Sequence, residues 1–489
     1  MATDKALEVK ANVTVDGGKV HPTKIDISSS INATAGASIV YIHKASNANK
    51  TATKVTSKDI FDAMGKRQSN TFKDTPDNPT VKINMKDAYS GSVSFKGNVS
   101  SPNYSFSAGS VSLTENIQPD YSALNCMDMS IYEKTGPADL DRDPSTNYPK
   151  NIAEFINKVF NDLFTKGAAA MQRELKDAPK EKKAAYEAQH RINQKVKKFI
   201  NELFENSKET MGWDGIAEPE RVTLLRARVE ECLKGKTGGG FLNNILRLAE
   251  EFQCVYVPEL DKVGKLVNKK ELLTNAKSLK IHPIAMSVSA GSIGMFPVRA
   301  VVVTYPDNSQ AYAVRTTEDN DRDKRSSNFA AIYPKEPKEG GSVLTVLGPQ
   351  WLAASDYKVA TLNRNDNGSR NNLQRNALTK KNAKNSKKVA KSLDARFDKN
   401  EKIVEEWAEL IYYWQALGQS YAIVNTELNL KVKVGTRYRV SGDSGVLFSG
   451  VLSSVEHTIH TGYKSSTAST QMHFSHIIMG SATIPGIGG

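Results

Sequence analysis

The spacing of apolar residues changes along this 489-residue chain, and this change limits the fold more than any other feature. Residues 1 to about 135 alternate apolar with polar positions, as a strand with one buried face does. From about 150 to 278, and again from 403 to 418, apolar residues recur every 3.6 positions, which is typical of an amphipathic helix. Alternation returns from Ile281 and over the last 70 residues. We therefore predict an α+β protein that is mainly β.

The same periods predict the individual elements. Leu7 to Val15 alternates up to the turn Asp16-Gly17-Gly18, which predicts a half-buried β-hairpin. Further strands are predicted at Ile25 and Ile27, Ile39 to Ile42, Val81 to Met85, Val93 and Phe95, and Tyr104 to Leu113. Helices are predicted where apolar stripes have helical spacing, at Ile152 to Phe164, Val196 to Phe204, Phe241 to Phe252 and Ile403 to Trp414.

A chain of this length is too long for a single hydrophobic core, and the changes of period predict where it divides. The predicted segments are an N-terminal β region at 1–148, a helical insertion at 149–280, a second β region at 281–362, a basic linker or arm at 363–402, a helix with β strands at 403–480, and a flexible tail at 481–489. We expect a second β-barrel to begin at Ile281.

Composition argues against several classes of protein. The start of the chain lacks the apolar segment of a signal peptide, and no run of about 18 apolar residues predicts a membrane-spanning helix. Cys126, Cys232 and Cys254 are odd in number and widely spaced, which argues against a disulfide framework and against a cysteine-rich metal site. We therefore expect a globular protein that is made in a reducing cytoplasm.

Part of the formal net charge of +13 lies in residues 364–402, which hold twelve Lys or Arg against four acids. The candidate contacts to a polyanion or partner are Arg364, Arg370, Arg375, Lys380, Lys381, Lys384, Lys387, Lys388 and Lys391. Cationic runs gain affinity for nucleic acid by releasing counterions. Because Phe397 is the only aromatic residue there, a solvated arm or a contact to an acidic protein is favoured over nucleic acid.

Two short motifs resemble those of enzymes, but their surroundings do not fit. Gly442-Asp443-Ser444-Gly445 matches the glycine-flanked serine of trypsin-like proteases, yet His21 and His43 lack the context of a catalytic histidine. Gly235-Lys236-Thr237 matches the end of a phosphate-binding loop, yet Glu230 stands where its first glycine would be. A hairpin turn and a helix-to-helix connection are favoured, so no enzymatic activity, catalytic residue or cofactor is predicted.

Candidate metal ligands are also incomplete. The acidic runs Asp139 to Asp143 and Asp319 to Asp323 begin like a calcium-binding loop but lack its glycine and its final glutamate. The pairs His457/His460 and His473/His476 lie on predicted strands, where residues three apart point to opposite faces. Cross-strand packing of these histidines is favoured over a metal shared across the hairpin, and no metal is predicted.

The C-terminal strands carry a more specific pattern. The stretch from Gly435 to His460, followed by Ser469 to His476, resembles the hub proteins of phage tail baseplates and related contractile injection systems. The residues that form the hub barrel pattern are Gly450, Val451, Ser454, Val455, His457, Ser475 and His476. The match covers about 90 residues, includes the preceding helix with Trp407 and Trp414, and is weaker over Ser122 to Tyr132.

The resemblance implies two tail-hub-type β-barrel domains per chain, with the helical insertion at 149–280 as a departure from the family. It further implies a homotrimeric central hub of a contractile tail, in which six barrels match three-fold to six-fold symmetry. The implied partners are the tail tube protein, the central spike protein, other baseplate (wedge) proteins and DNA passing through the lumen, with no small-molecule substrate. The implied location is the virion. A nucleic-acid-binding protein that uses the 364–402 arm is the alternative.

Overall fold

The structure is a computed structural model. It describes residues 10–44, 78–87, 91–107, 110–127, 151–212, 219–234, 240–274, 276–280, 287–292, 298–304, 315–316, 330–333, 342–347, 407, 410–443, 445–461 and 466–480. Three β-sheets form within these residues, with thirteen, four and two strands. None of the helices in these ranges is long and apolar enough to cross a membrane.

The N-terminal region forms seven antiparallel strands, as its alternation predicts, and we call them the first β unit. They are β1 Lys10–Val15, β2 Gly18–Val20, β3 Lys24–Ser30, β4 Gly36–Lys44, β5 Thr80–Asp87, β6 Gly91–Ser107 and β7 Ser110–Gln118. Their order in the sheet is β3-β4-β7-β6-β5-β1-β2. Asp16 and Gly17 both have positive φ, which suits the predicted tight turn between β1 and β2.

The first β unit curves strongly. Its end strands β3 and β2 are connected by residues 21–23 alone. Seven flat strands would span about 29 Å at a spacing of ~4.8 Å. Four Cα steps reach at most about 15 Å, so the two ends of the sheet approach each other. The enclosed core includes Ile25, Ile39, Ile83 and Phe95.

A group of four helices follows the first β unit. They are α1 Ile152–Leu175, α2 Lys180–Ser207, α3 Pro219–Lys234 and α4 Phe241–Glu251. α1 begins after Asn151, whose side-chain oxygen accepts a hydrogen bond from the Ala153 backbone N–H at 2.9 Å. The apolar stripes that contain Phe160, Leu203 and Ile245 are buried in one core, so the three helices predicted for this region are confirmed.

The helices end earlier than predicted. After Glu251 come β8 Cys254–Val257, β9 Lys265–Asn268, a short helix α5 Lys269–Thr274 and β10 Ala276–Lys280. Gln253 has positive φ, which ends the helical course of the backbone. All four residues of β8 are buried, and a short apolar run of this kind does not distinguish a strand from a helix. The described part of 149–280 is therefore helical to Glu251 and mixed beyond it.

A helix at 410–418 precedes the last strands, as the apolar spacing up to Gly418 predicts. These strands are β16 Ser420–Glu427, β17 Arg437–Gly442, β18 Gly445–Thr461 and β19 Ser466–Met479. With β10 and β11 (Ser287–Ser292) they form the second β unit, in the order β10-β17-β18-β19-β16-β11. Leu279 of β10 and Val424 of β16 share a core with Phe448 and Phe474, so this unit also curves around a core.

The β region predicted at 281–362 divides between two sheets. Its strands after β11 are β12 Val298–Thr304, β13 Arg315–Thr316, β14 Ala330–Tyr333 and β15 Ser342–Leu347. These four form a separate sheet in the order β13-β14-β12-β15, in which β12 and β15 are parallel. In the described part of this region, β11 alone joins the large sheet, and the second β unit draws its other strands from β10 and from the C-terminal region.

Strand β18 joins the two β units into one sheet. Its first half pairs with β17, its second half from Ser454 to His460 pairs with β3, and β19 runs along its other side. The sequence does not indicate this arrangement, because the paired residues Ser30 and Ser454 are more than 400 positions apart.

Candidate site on the C-terminal strands

The residues of the hub barrel pattern lie on two strands that pair along most of their length. Gly450, Val451, Ser454, Val455 and His457 belong to β18, and Ser475 and His476 belong to β19. The antiparallel register places Val451 opposite Ser475 and Val455 opposite Met472. The fold therefore brings the two parts of the pattern side by side.

Gly450 and His476 lie at an irregularity in this pairing. The register shifts between Ser449 and Val451, and His476 has a positive φ of 54°. A Cβ on Gly450 would lie 3.1 Å from Ile477 Cγ1 and 3.2 Å from the Ser475 carbonyl oxygen. A β-bulge accounts for both observations, because an extra residue in one strand bends it towards its neighbour. The glycine and the last histidine of the pattern thus have a structural role.

Replacing Gly450 with alanine is expected to lower the free energy of unfolding by about 1–2 kcal/mol, since the added methyl group overpacks the bulge. Urea unfolding followed by circular dichroism measures this change. Gly442→Ala is the control, because its Cβ would lie 3.6 Å from Leu447 Cδ1, an ordinary van der Waals distance. Equal effects of the two substitutions would contradict the role of the bulge.

His476 is buried against an aromatic ring and two cations. Its imidazole packs on the Trp414 indole with ring centroids 3.7 Å apart. Arg437 Nη1 donates a hydrogen bond to its backbone carbonyl oxygen at 3.3 Å. Lys269 Nζ lies 5.3 Å from the centroid of the same indole. Burial, and then the charges of Lys269 and Arg437, lower the pKa of His476 to about 3, so the ring is neutral at pH 7.

Arg437 is a buried cation whose described partners are all neutral. Besides the His476 carbonyl, its Nη2 donates hydrogen bonds to Ser449 Oγ at 2.8 Å and to the Ser449 carbonyl oxygen at 3.4 Å. Burial lowers the pKa of Arg437 to about 10, so it stays charged at pH 7. The sequence does not point to this residue, because the alternation assigns Tyr438 and Val440, on the other face of β17, to the core.

His457 is a second buried, neutral histidine. Its Nδ1 lies 2.9 Å from Thr470 Oγ1, and the same hydroxyl accepts a hydrogen bond from the Asn429 backbone N–H at 2.8 Å. The hydroxyl hydrogen is free of this bond, and His457 Nδ1 accepts it in the tautomer that carries its hydrogen on Nε2. Burial lowers the pKa of His457 to about 4.

The remaining residues of the pattern make contacts within the chain. Val451 is fully buried in a cluster that also holds Leu410 and Val257, between the helix 410–418 and β8. Val455 lies in the core of the second β unit. Ser30 Oγ donates a hydrogen bond to Ser454 Oγ at 2.9 Å, across the pairing of β3 with β18. The pattern therefore specifies the interior and the joining of the two units.

A row of polar side chains crosses the opposite face of the second β unit. Asn425 Nδ2 donates to Ser287 Oγ at 3.0 Å, and Gln471 Nε2 donates to Asn425 Oδ1 at 2.9 Å. His473 Nε2 completes the row by donating to Gln471 Oε1 at 3.0 Å. Sequence reasoning missed this row, because its members lie on three strands, β11, β16 and β19, whose register the sequence does not reveal.

The histidines of the two pairs lie apart on β18 and β19. His457 is buried and His460 is exposed, as their opposite faces predict. The register pairs His457 with Thr470 and His473 with Ser454, so these histidines do not face each other across the hairpin. In the parts of the chain that the structure describes, no group of three His, Cys, Asp or Glu is placed to hold a metal ion.

Several predicted features lie outside the described residues. These are Ser444, Lys236-Thr237, the acidic runs 139–143 and 319–323, the tail 481–489, and the basic arm with Arg364, Arg370, Arg375, Lys380, Lys381, Lys384, Lys387, Lys388 and Lys391. Gly442 and Gly445, which flank Ser444, pair with each other where β17 meets β18, so that motif marks a hairpin end as predicted. All three cysteines are free.

No family model and no curated protein matches the chain. Among solved structures, it is similar to a 43 kDa tail protein of prophage MuSo2 from Shewanella oneidensis, with 8% identity over 96% of this chain and 98% of that chain and a TM-score of 0.46. A tail protein from Neisseria meningitidis MC58 has 8% identity over 96% of each chain and a TM-score of 0.43.

A third similar structure is a component of the type VI secretion system of E. coli, described as structurally similar to the T4 bacteriophage tail proteins gp27 and gp5. It has 7% identity over 99% of this chain and 78% of that chain, with a TM-score of 0.34.

Proposed function

We propose that this chain is a structural component of a phage tail baseplate, where it forms the central hub between tail tube and spike and has no enzymatic role. One observation carries the proposal: the pattern shared with tail hub proteins falls on the paired strands β18 and β19. There Gly450 and His476 shape a bulge, and Val451 and Val455 fill two cores. The virion is the location that follows from this role.

We further infer that each chain provides two barrels. The ends of the first β unit are connected by residues 21–23, and the second β unit has residues from β10 and β16 in one core. Because β18 pairs with both β3 and β17, the two units are held in a fixed relation. A homotrimer would contain six such units, the number needed to match a three-fold spike to a six-fold tube.

Strands β10 and β11 are the two edge strands of the second β unit in the described residues, and their outer edges favour contacts between copies of the chain. In the described residues, β10 pairs only with β17, and β11 pairs only with β16. The side chains from Ser287 to Ala290 are exposed, including Val288 at 39%. An edge strand presents unpaired N–H and C=O groups, which favour pairing with a strand of another chain. We expect the tube, spike and wedge proteins to bind the ring that results.

The purified chain is expected to sediment as a trimer and to give ring-shaped particle images with three-fold or six-fold symmetry. The double variant V288K/A290K is expected to shift the sedimenting species towards monomer, because lysines on an edge strand oppose strand pairing. Ile192→Lys is the matched control, since Ile192 is 38% exposed on α2. A chain that stays monomeric at high concentration and binds no tube or spike protein would refute the proposal.

The charge of residues 364–402 supports DNA binding as a second candidate function. Twelve cations against four acids would gain affinity for DNA in the lumen through counterion release. Deleting 364–402 is then expected to abolish salt-sensitive DNA binding while the trimer remains. Unchanged DNA affinity in the deletion variant would exclude the arm as the DNA contact.

A further inference from the structure

His476 lies where three parts of the molecule meet. Its own strand β19 belongs to the second β unit, its ring packs on Trp414 of the helix 410–418, and Lys269 at the start of α5 approaches the same indole. Gly418 makes room for the ring, since a Cβ there would lie 3.2 Å from His476 Nε2. The imidazole is therefore part of the contact through which the helix packs on the sheet.

The charged groups nearest to this ring are cations. Arg437 of β17 hydrogen-bonds the backbone carbonyl of His476, and Lys269 of α5 approaches the indole on which the ring packs. Both charges act on the ring. Trp414 and Gly418, which contact the ring from the helix 410–418, are uncharged. The ring's neighbour on its own strand, Ser475, is uncharged as well.

Among the described residues, Glu250 is the carboxylate that pairs with one of these cations. Lys269 Nζ donates a hydrogen bond to Glu250 and another to Gln253 Oε1 at 3.1 Å. The described partners of Arg437 are all neutral. A proton on His476 would therefore add a third cation beside Lys269 and Arg437. Among the described residues the carboxylate that pairs with Lys269, Glu250, is 57% exposed, so it offsets little of this charge.

We propose that His476 is a proton-sensitive latch: the neutral ring holds the helix 410–418 on the second β unit, and the protonated ring releases the helix while both β units stay folded. The positive φ of His476 and its close packing on Trp414 limit which residues can occupy this position between the helix and the sheet. Release exposes the ring to water, which restores its hydration and screens it from the charges of Lys269 and Arg437.

The pH range follows from linkage between protonation and release. The pKa of His476 is about 3 in the closed arrangement, against its usual 6.5 when exposed. Since the folded, closed value is the lower one, the latch is most stable above pH 6.5 and weakens as the pH falls towards 3. At a pH of about 4.5 the ratio of released to closed molecules should have risen up to about a hundred-fold.

Hydrogen–deuterium exchange of the full chain at pH 7 and at pH 4.5, corrected for the intrinsic pH dependence of exchange, tests the latch. In the unmodified chain, exchange in 410–418 is expected to rise at least about tenfold at the lower pH, while β5 and α1 keep their protection. In His476→Asn this selective rise should disappear, because asparagine tolerates positive φ and does not titrate. No rise in the unmodified chain, or a rise that β5 shares, would overturn the proposal.

Lys269→Met provides a second test of the latch. It remains informative if His476→Asn loosens the helix at both pH values. Removing this cation lets the closed site tolerate a protonated ring, so the response of 410–418 to acid should become smaller. His457→Asn is the matched control, since it removes a buried histidine of β18 and should leave the response of 410–418 unchanged. A response unaltered in Lys269→Met, or equally reduced in His457→Asn, would refute the latch.

Discussion

Replacing Phe474 with alanine is expected to lower the free energy of unfolding of the β-sheet by about 3–5 kcal/mol. Phe474 is 1% exposed and packs edge-on against Phe448, with ring centroids 5.2 Å apart. It also meets Tyr438 at a right angle, with centroids 6.4 Å apart. Truncation leaves a cavity among rigid aromatic rings, which collapse poorly around it.

The loss of stability should also affect the first β unit, although Phe474 belongs to the core of the second β unit. Strand β18 pairs with β3 over Ser454–His460, and Thr458 Oγ1 donates a hydrogen bond to Asp26 Oδ1 at 2.7 Å. The first β unit also shares its core with Ile459 of β18. Because one strand serves both units, we expect them to unfold in one cooperative step.

Urea unfolding followed by far-ultraviolet circular dichroism measures the loss. Hydrogen exchange of β5 and β19 then reports each unit separately. Tyr421→Ala is the control, since Tyr421 is 38% exposed on the opposite face of the same unit and should lose less than about 1 kcal/mol. Two separate transitions, with β5 unaffected by Phe474→Ala, would contradict the joining of the units by β18.

Local features of the fold were predictable from the sequence. The turn at Asp16-Gly17 follows from two residues that tolerate positive φ, and the period of 3.6 places α1, α2 and α4. These signals depend on residues a few positions apart, so they can be found in the sequence alone. β8 was not predictable, because four consecutive buried residues have no period.

Long-range features were not predictable. The pairing of β3 with β18 depends on contacts between residues more than 400 positions apart, and no local pattern specifies that partner. The burial of Arg437 depends on which side of β17 is covered, and the polar row from Ser287 to His473 depends on the register of three strands. Two residues of the hub barrel pattern, Gly450 and His476, lie at a bulge, and a bulge demands particular residues that the sequence can show.

Acid is expected to destabilise the protein partly through His457, and a substitution isolates that part. His457 is 1% exposed, and burial lowers its pKa to about 4 from its usual 6.5. Between these values the unfolded chain binds the proton and the folded chain does not, so stability falls as the pH drops from 6.5 to 4. This difference in pKa corresponds to a loss of about 3 kcal/mol in the free energy of unfolding for a single buried group.

His457→Asn removes this titration while its amide oxygen can still accept the Thr470 hydroxyl. We expect the variant to be less stable than the unmodified chain at pH 7. The difference between their free energies of unfolding, which we call the gap, should be smaller by about 3 kcal/mol at pH 4, because the other titrating groups are common to both. Chemical unfolding at a series of pH values measures this gap. Val455→Ala, on the same strand, removes no titrating group and should lose the same amount of stability at every pH. If the difference for His457→Asn is also the same at every pH, His457 is not buried as a neutral residue where β18 pairs with β3.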